Sequence, residues 1–209
     1  DLRHARQRIE EVIAALADAP RFQIDLRRQA LLLASKFAAT GDEGQAFADA
    51  ALKVSNFDYQ RAQALAARAA AQLRRQQLDG VLEDLRQAGE ALDGVTAGLE
   101  NERGDSGLRS QLAALTSAAH LGAGNEKDAA EVLVSALDDE GLTPYHEGRL
   151  RAFGEAADEA KVEGGWKSHR RLRLLLGVDG TGPSPPARLP DAPVAAWRSR
   201  SRPVTASRP

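Results

Sequence analysis

The side chains that could do chemistry are few. The 209 residues contain four histidines, His4, His120, His146 and His169, and neither cysteine nor methionine. No two histidines have the spacing of metal ligands, and there is no HExxH sequence, phosphate-cradling loop or nucleophile turn. The run Tyr145, His146 and Glu147 combines groups suited to proton transfer, but it follows a helix-start signal and reads as a solvated first turn. The carboxylate pairs Glu10 with Glu11 and Asp138 with Asp139 are adjacent in sequence, so on a helix they point to different faces and cannot share a proton. His120 falls where a packing residue is expected. Nothing here builds a catalytic constellation, and the expectation is a protein that is not an enzyme and uses no cofactor or metal.

Binding chemistry is better supplied. Arg27, Arg28, Ser35 and Lys36, followed by Arg74 and Arg75, lie on helix faces turned away from the apolar stripes, where guanidinium groups could grip a partner's carboxylates in bidentate fashion. Their alternative role is as solvated charges near helix C-termini, favoured by the macrodipole. A second group lies near the end of the chain, where Trp197 is followed by Arg198, Arg200 and Arg202 alternating with serines. An indole anchor beside steering cations has the character of a short linear binding segment. The cations could also neutralise phosphates. Nucleic acid is the less favoured ligand, since the rest of the chain is acidic and offers this segment only one base-stacking side chain.

The elements that must position these groups follow from composition. Alanine and leucine supply 67 residues against 19 for valine, isoleucine and threonine, a balance that favours helix over sheet. No apolar run approaches the roughly 18 residues that span a bilayer, so no membrane partner is expected and a cytoplasmic location is. The near-neutral net charge of −2 hides two unlike parts. Residues 1–166 carry 19 basic against 28 acidic side chains, whereas residues 167–209 carry nine against two, and seven of the nine prolines lie beyond position 182. Such asymmetry predicts a helical domain over residues 1–177 and an extended or disordered Pro/Arg-rich tail over 178–209. The first residue is Asp1 rather than methionine, which suggests a fragment or processed chain. The abundance of alanine and arginine suggests a bacterial source.

Apolar residues recur at i, i+3 and i+4 through most of the domain. The predicted stripes are Ile9, Val12, Ile13 and Leu16, with Pro20 stopping the helix; Leu26, Ala30, Leu33, Ala34 and Phe37; and Ala46, Phe47, Ala50, Ala51 and Val54, with Asp42 as N-cap and Gln45 completing a capping box. Next come Ala62, Leu65, Ala66, Ala69 and Leu73 behind an Asn56 cap, then Val81, Leu82, Leu85, Ala88 and Leu92. Beyond the loop over 100–105 lie Leu108, Leu112, Leu115 and Ala119, then Ala129, Val132, Leu133 and Leu137 behind Asn125. A final stripe, Leu150, Phe153 and Ala157, starts at Thr143 and Pro144. Gly164 and Gly165 precede a basic, apolar segment from Trp166 to Leu176, which would cover the last exposed apolar face.

These helices contain a repeat. Ala34, Phe37, Gly41, Asp42 and Ala46 match Ser117, His120, Gly124, Asn125 and Ala129, with a looser copy at Ala70, Leu73, Gln77, Leu78 and Leu82. On these residues the chain resembles the tetratricopeptide repeat family across about Phe22 to Ala160. The family's Trp, Leu-Gly and Tyr features are missing, and so is the pattern of Lys, Asn and Arg by which some members clamp a C-terminal carboxylate. The resemblance implies an all-α, right-handed α-solenoid of antiparallel helix hairpins whose concave face binds a peptide, helix or small effector. The expected function is a noncatalytic protein-interaction or scaffold module, using Arg28, Ser35, Lys36, Arg74 and Arg75 on that face and Trp197 with its arginines as a second contact. Opposite charges on domain and tail make self-association a further expectation. The alternative is a regulatory helical domain, cut from a larger bacterial signalling or transcription protein, that binds a small effector.

Overall fold

The computed structural model describes residues 2–17, 20, 23–96, 106–139 and 142–162. The proposed tail, the domain boundary near 177, the segment 166–176 and the loop 100–105 lie outside the described residues. Those residues form an all-α fold of eight helices: α1 (Leu2–Ala15), α2 (Ile24–Phe37), α3 (Gly41–Lys53), α4 (Asp58–Arg74), α5 (Val81–Thr96), α6 (Ser106–Gly122), α7 (Glu126–Leu137) and α8 (Pro144–Val162). Each helix packs on its chain neighbours, and α2 on α4, α4 on α6 and α6 on α8 as well. The larger apolar core runs through α4 to α8 around Leu73, Leu92, Leu115, Leu150 and Phe153, and a smaller one joins Leu31, Ala51 and Ala64 across α2, α3 and α4.

The stripes of α4 and α6 are buried as their periodicity requires, while α2 and α3 turn differently. On α2 the buried residues are Arg28, Ala30, Leu31, Ala34 and Ser35, and the expected core residues Leu26 and Leu33 are 53% and 48% exposed. Its leucines are spread around the helix rather than kept to one side, so α3 and α4, rather than the pattern itself, select the face. On α3 the buried set is Gly44, Ala48 and Ala51, with Ala46 exposed. Its cap is Thr40, not Asp42. The Thr40 hydroxyl accepts the Glu43 N–H at 3.2 Å and the Glu43 carboxylate accepts the Thr40 N–H, a complete capping box two residues before the expected one. Asp42 instead sits in the first turn, where a negative charge complements the dipole. Asn56 is likewise not a cap: Phe57 holds that position, and the Asn56 N–H donates to Gln60 Oε1.

Two chain reversals share one device. At the end of α6 the Asn125 N–H reaches the His120 carbonyl at 2.8 Å and the Gly124 N–H reaches Leu121 at 3.1 Å, with Gly124 at φ +81. At the end of α4 the Gln77 N–H reaches Gln72 at 3.1 Å and the Gln76 N–H reaches Leu73 at 3.0 Å, with Gln76 at φ +57. Both are Schellman closures, which need one left-handed residue. The structural counterpart of Gly124 is therefore Gln76, and neither Gln77 nor Gly41 plays that part. Gly41 serves close packing instead: a Cβ there would lie 2.3 Å from Arg75 Cγ and 2.9 Å from the Ala71 carbonyl oxygen.

Two substitutions test these roles by equilibrium denaturation. Gly41→Ala is expected to lose about 1–3 kcal/mol, because the contact is with backbone and the middle of a side chain; unchanged stability would show that α3 and α4 are not so close. Gln76→Gly is expected to gain about 1 kcal/mol by relieving the left-handed strain of a residue with a Cβ, and a loss would rule out that conformation.

Candidate partner-binding site

Three helix pairs are tied at the same position of the second helix, two through a serine hydroxyl and one through an ion pair. Counting from the helix starts Gly41, Val81 and Glu126, the fourth residue of the second helix is Gly44 in α3, Asp84 in α5 and Ala129 in α7. Each is gripped from the first helix of its pair. The buried Ser35 hydroxyl donates to the Gly44 carbonyl at 2.7 Å, and the buried Ser117 hydroxyl donates to the Ala129 carbonyl at 3.0 Å. In the middle hairpin Arg68 makes a bidentate pair with Asp84, at 2.7 Å from Nε and 2.6 Å from Nη2. Its third nitrogen reaches Asp49 of α3 at 3.3 Å. The hydrogen bonds to the mainly buried Asp84 carboxylate raise the Arg68 pKa further.

This arrangement decides what the expected cationic site can offer. Ser35, Lys36, Arg74 and Arg75 come together where α2 and α4 end, whereas Arg28 lies two turns back along α2. Arg74 Nη2 donates to the Ser35 carbonyl at 2.6 Å, and Arg6 of α1 donates through Nε to the Phe37 carbonyl. Two guanidiniums thus satisfy carbonyls that the end of α2 leaves without helical partners, and they suit its negative dipole end. Burial, followed by the nearby charge of Arg6, lowers the Arg74 pKa. Arg75 is held by Asp42 at 2.8 Å and Gln45 Oε1 at 2.6 Å. Arg28 is 5% exposed and is bound to Asp25 and, at 2.7 Å, to Gln63 Oε1 of α4. Arg27 reaches back to the Ala17 carbonyl at 2.9 Å. Lys36 remains exposed, its Nζ 6.0 Å from the Phe37 ring centroid. Arg28, Ser35, Arg74 and Arg75 are therefore occupied within the fold. Trp197, Arg198, Arg200 and Arg202 lie outside the described residues.

The exposed face of α2 holds residues that the sequence pattern assigned to the core. Leu26, Gln29, Leu33 and Lys36 share one side at spacings of three, four and three, and all four are exposed. The signal that distinguishes them is the surplus of leucine on α2: one helix face cannot bury Leu26, Leu31, Leu32 and Leu33 together. Of the proton-transfer candidates, Tyr145 is 69% exposed and meets His146 edge-on at 5.1 Å, while Glu147 is paired with Arg151 at 2.8 Å. His120 Nδ1 is 3.8 Å from Asp128 of α7. Among the described residues no group of three or more His, Asp or Glu is placed to hold a metal ion, and no helix is long and apolar enough to cross a membrane. No protein-family model, curated protein or solved structure matches the chain.

The Arg28 cluster carries a pH dependence. Arg28 donates twice to Asp25 Oδ1, and Gln29 and Gln60 also donate to this carboxylate. The Arg28 hydrogen bonds, followed by a smaller opposing effect of burial and then by its charge, hold the Asp25 pKa below the ordinary value. A carboxylate depressed in the folded state contributes stability that is complete above its unfolded pKa and lost as pH falls through the folded one. Asp25→Asn should therefore lower stability at neutral pH and flatten its decline below about pH 4, where the wild-type carboxylate becomes protonated. Parallel acid-denaturation profiles for the two proteins would exclude this contribution.

Proposed function

We propose that the chain is a noncatalytic helical-repeat module that binds another protein. In this reading hairpins α2 with α3, α4 with α5 and α6 with α7 stack as a right-handed solenoid of the tetratricopeptide type. Support comes from the successive packing of α2, α4, α6 and α8 and from the tie at the fourth position of each second helix. The observation that carries the binding role is the exposed row of α2, in which two half-exposed leucines two turns apart stand beside an uncommitted lysine. Apolar side chains presented in this way suit an amphipathic partner helix, which buries its own stripe against them. Lys36 then favours a partner with a carboxylate at the end of that stripe. Arg28 and Arg74 serve the site indirectly by fixing the position of α2 against α4, and Arg75 by tying the end of α4 to α3.

Affinity capture from a lysate of the source organism tests the reading, with wild type beside Leu26→Ser combined with Leu33→Ser. Both leucines are about half exposed, so the variant should retain its helix content and nearly all its stability. Loss of a stoichiometric partner by the folded variant is the expected result. An identical bound set in the two captures would overturn the assignment to α2.

A further inference from the structure

A second surface stands out on α7. Its outward side forms a shallow hollow of about 500 Å³ lined by Lys127, Ala130, Glu131, Val134, Ser135 and Asp138. Val134 is 58% exposed and Ala130 is exposed. On α3 the corresponding positions, counted from the cap, are Asp42, Gln45 and Asp49, which are clasped by Arg75 at the end of α4 and by Arg68 within it. The α7 counterparts Lys127, Ala130 and Val134 have lost the acceptors and gained apolar surface. Helix α8 packs elsewhere on α7: Gly154 lies beside Leu133, on the buried side.

We propose that residues 166–176 of the same chain seat on this face of α7. Chain geometry favours that occupant. Helices α7 and α8 are joined by a short connection and pack together, so the chain leaves α8 close in sequence to a helix that α7 already touches. The three residues Glu163, Gly164 and Gly165 then allow the chain to reverse before Trp166. A helix of 11 residues is about 16 Å long, matching the span from Lys127 to Asp138 on α7. Charge agrees. Residues 166–176 carry four Lys or Arg and no acid, whereas residues 126–139 carry five acids and one lysine. Trp166, Leu172, Leu175 and Leu176 supply apolar groups for Ala130 and Val134, while the arginines can reach Glu131 and Asp138 at the rim. Seating would cover an apolar surface at the end of the helix array, independently of what binds α2.

Amide hydrogen exchange on the full chain reads the contact directly. In dilute wild type, amides of 166–176 should exchange at least about tenfold more slowly than free chain. Val134→Lys, at an exposed position, should abolish that protection and leave α4 unchanged. Fast exchange of 166–176 in wild type, or protection unaffected by Val134→Lys, would overturn the proposal. The chain lacks cysteine, so a nitroxide on Ser135→Cys gives a second readout. Broadening of amides 166–176 within the labelled chain supports the proposal. Broadening seen only in unlabelled chains mixed with labelled ones would overturn it by assigning the segment to a second copy.

Discussion

Close approach to α4 is the constraint on which the rest of the structure depends. This helix touches α2, α3, α5 and α6, and its buried residues include Ala62, Ala64, Ala66, Ala69 and Ala71. Methyl groups on several sides let neighbouring backbones come close. Gly41 and Gly44 continue the same economy on α3, where even a methyl group would meet Arg75 or Arg74. Leu65 and Leu73 then fill the space between the alanine contacts. Interiors packed to this density leave little room for adjustment, so the position of α4 fixes those of the helices around it.

Helices brought this close must also satisfy polar groups that water no longer reaches. Ser35 and Ser117 donate to carbonyls of the helix they face, and Arg6 and Arg74 cover the carbonyls ending α2. Charge is distributed accordingly. Helices α3, α5 and α7 carry ten acidic residues against three basic, while α2, α4, α6 and α8 carry six against ten. The pairs Arg68 with Asp84 and Asp49 and Arg109 with Asp93 run from the second set to the first, and Arg75, which closes α4, pairs with Asp42. Several cations of α2 and α4, which in sequence resembled a ligand site, are thus means by which neighbouring helices hold each other. Surface pairs within one helix are a separate matter: the exposed Glu83, with its pKa lowered to about 2 chiefly by hydrogen bonds from Arg86, ties nothing across the fold.

The helices themselves were legible in the sequence. Class and approximate limits follow from composition and a period of 3.6, which are local properties. The stripes on α4 and α6 were readable for the same reason, since on those helices the apolar residues keep to one side. The Thr40 to Glu43 capping box was also legible as a motif, although Asp42 and Gln45 offered a competing one two residues later. The caps and the buried fourth positions give a structural register in which Gly44 matches Ala129. That differs by two residues from the match of Ala46 with Ala129 suggested by small residues and turn glycines, because Gly41 and Gly124 are glycine for unrelated reasons.

What the amino-acid sequence determined by itself, then, is helix, acidic character and a hairpin rhythm, all set by neighbours within a few positions along the chain. Tertiary structure alone decided which way α2 faces and which cations are available. Leucine is spread around α2, so periodicity cannot choose between burying Leu31 and burying Leu33; contact with α3 and α4 makes that choice. The guanidiniums of Arg28 and Arg74 look equally free in sequence, and their partners, Gln63 and the Ser35 carbonyl, are 35 and 39 residues away. Separations of that length become contacts only when the helices have packed.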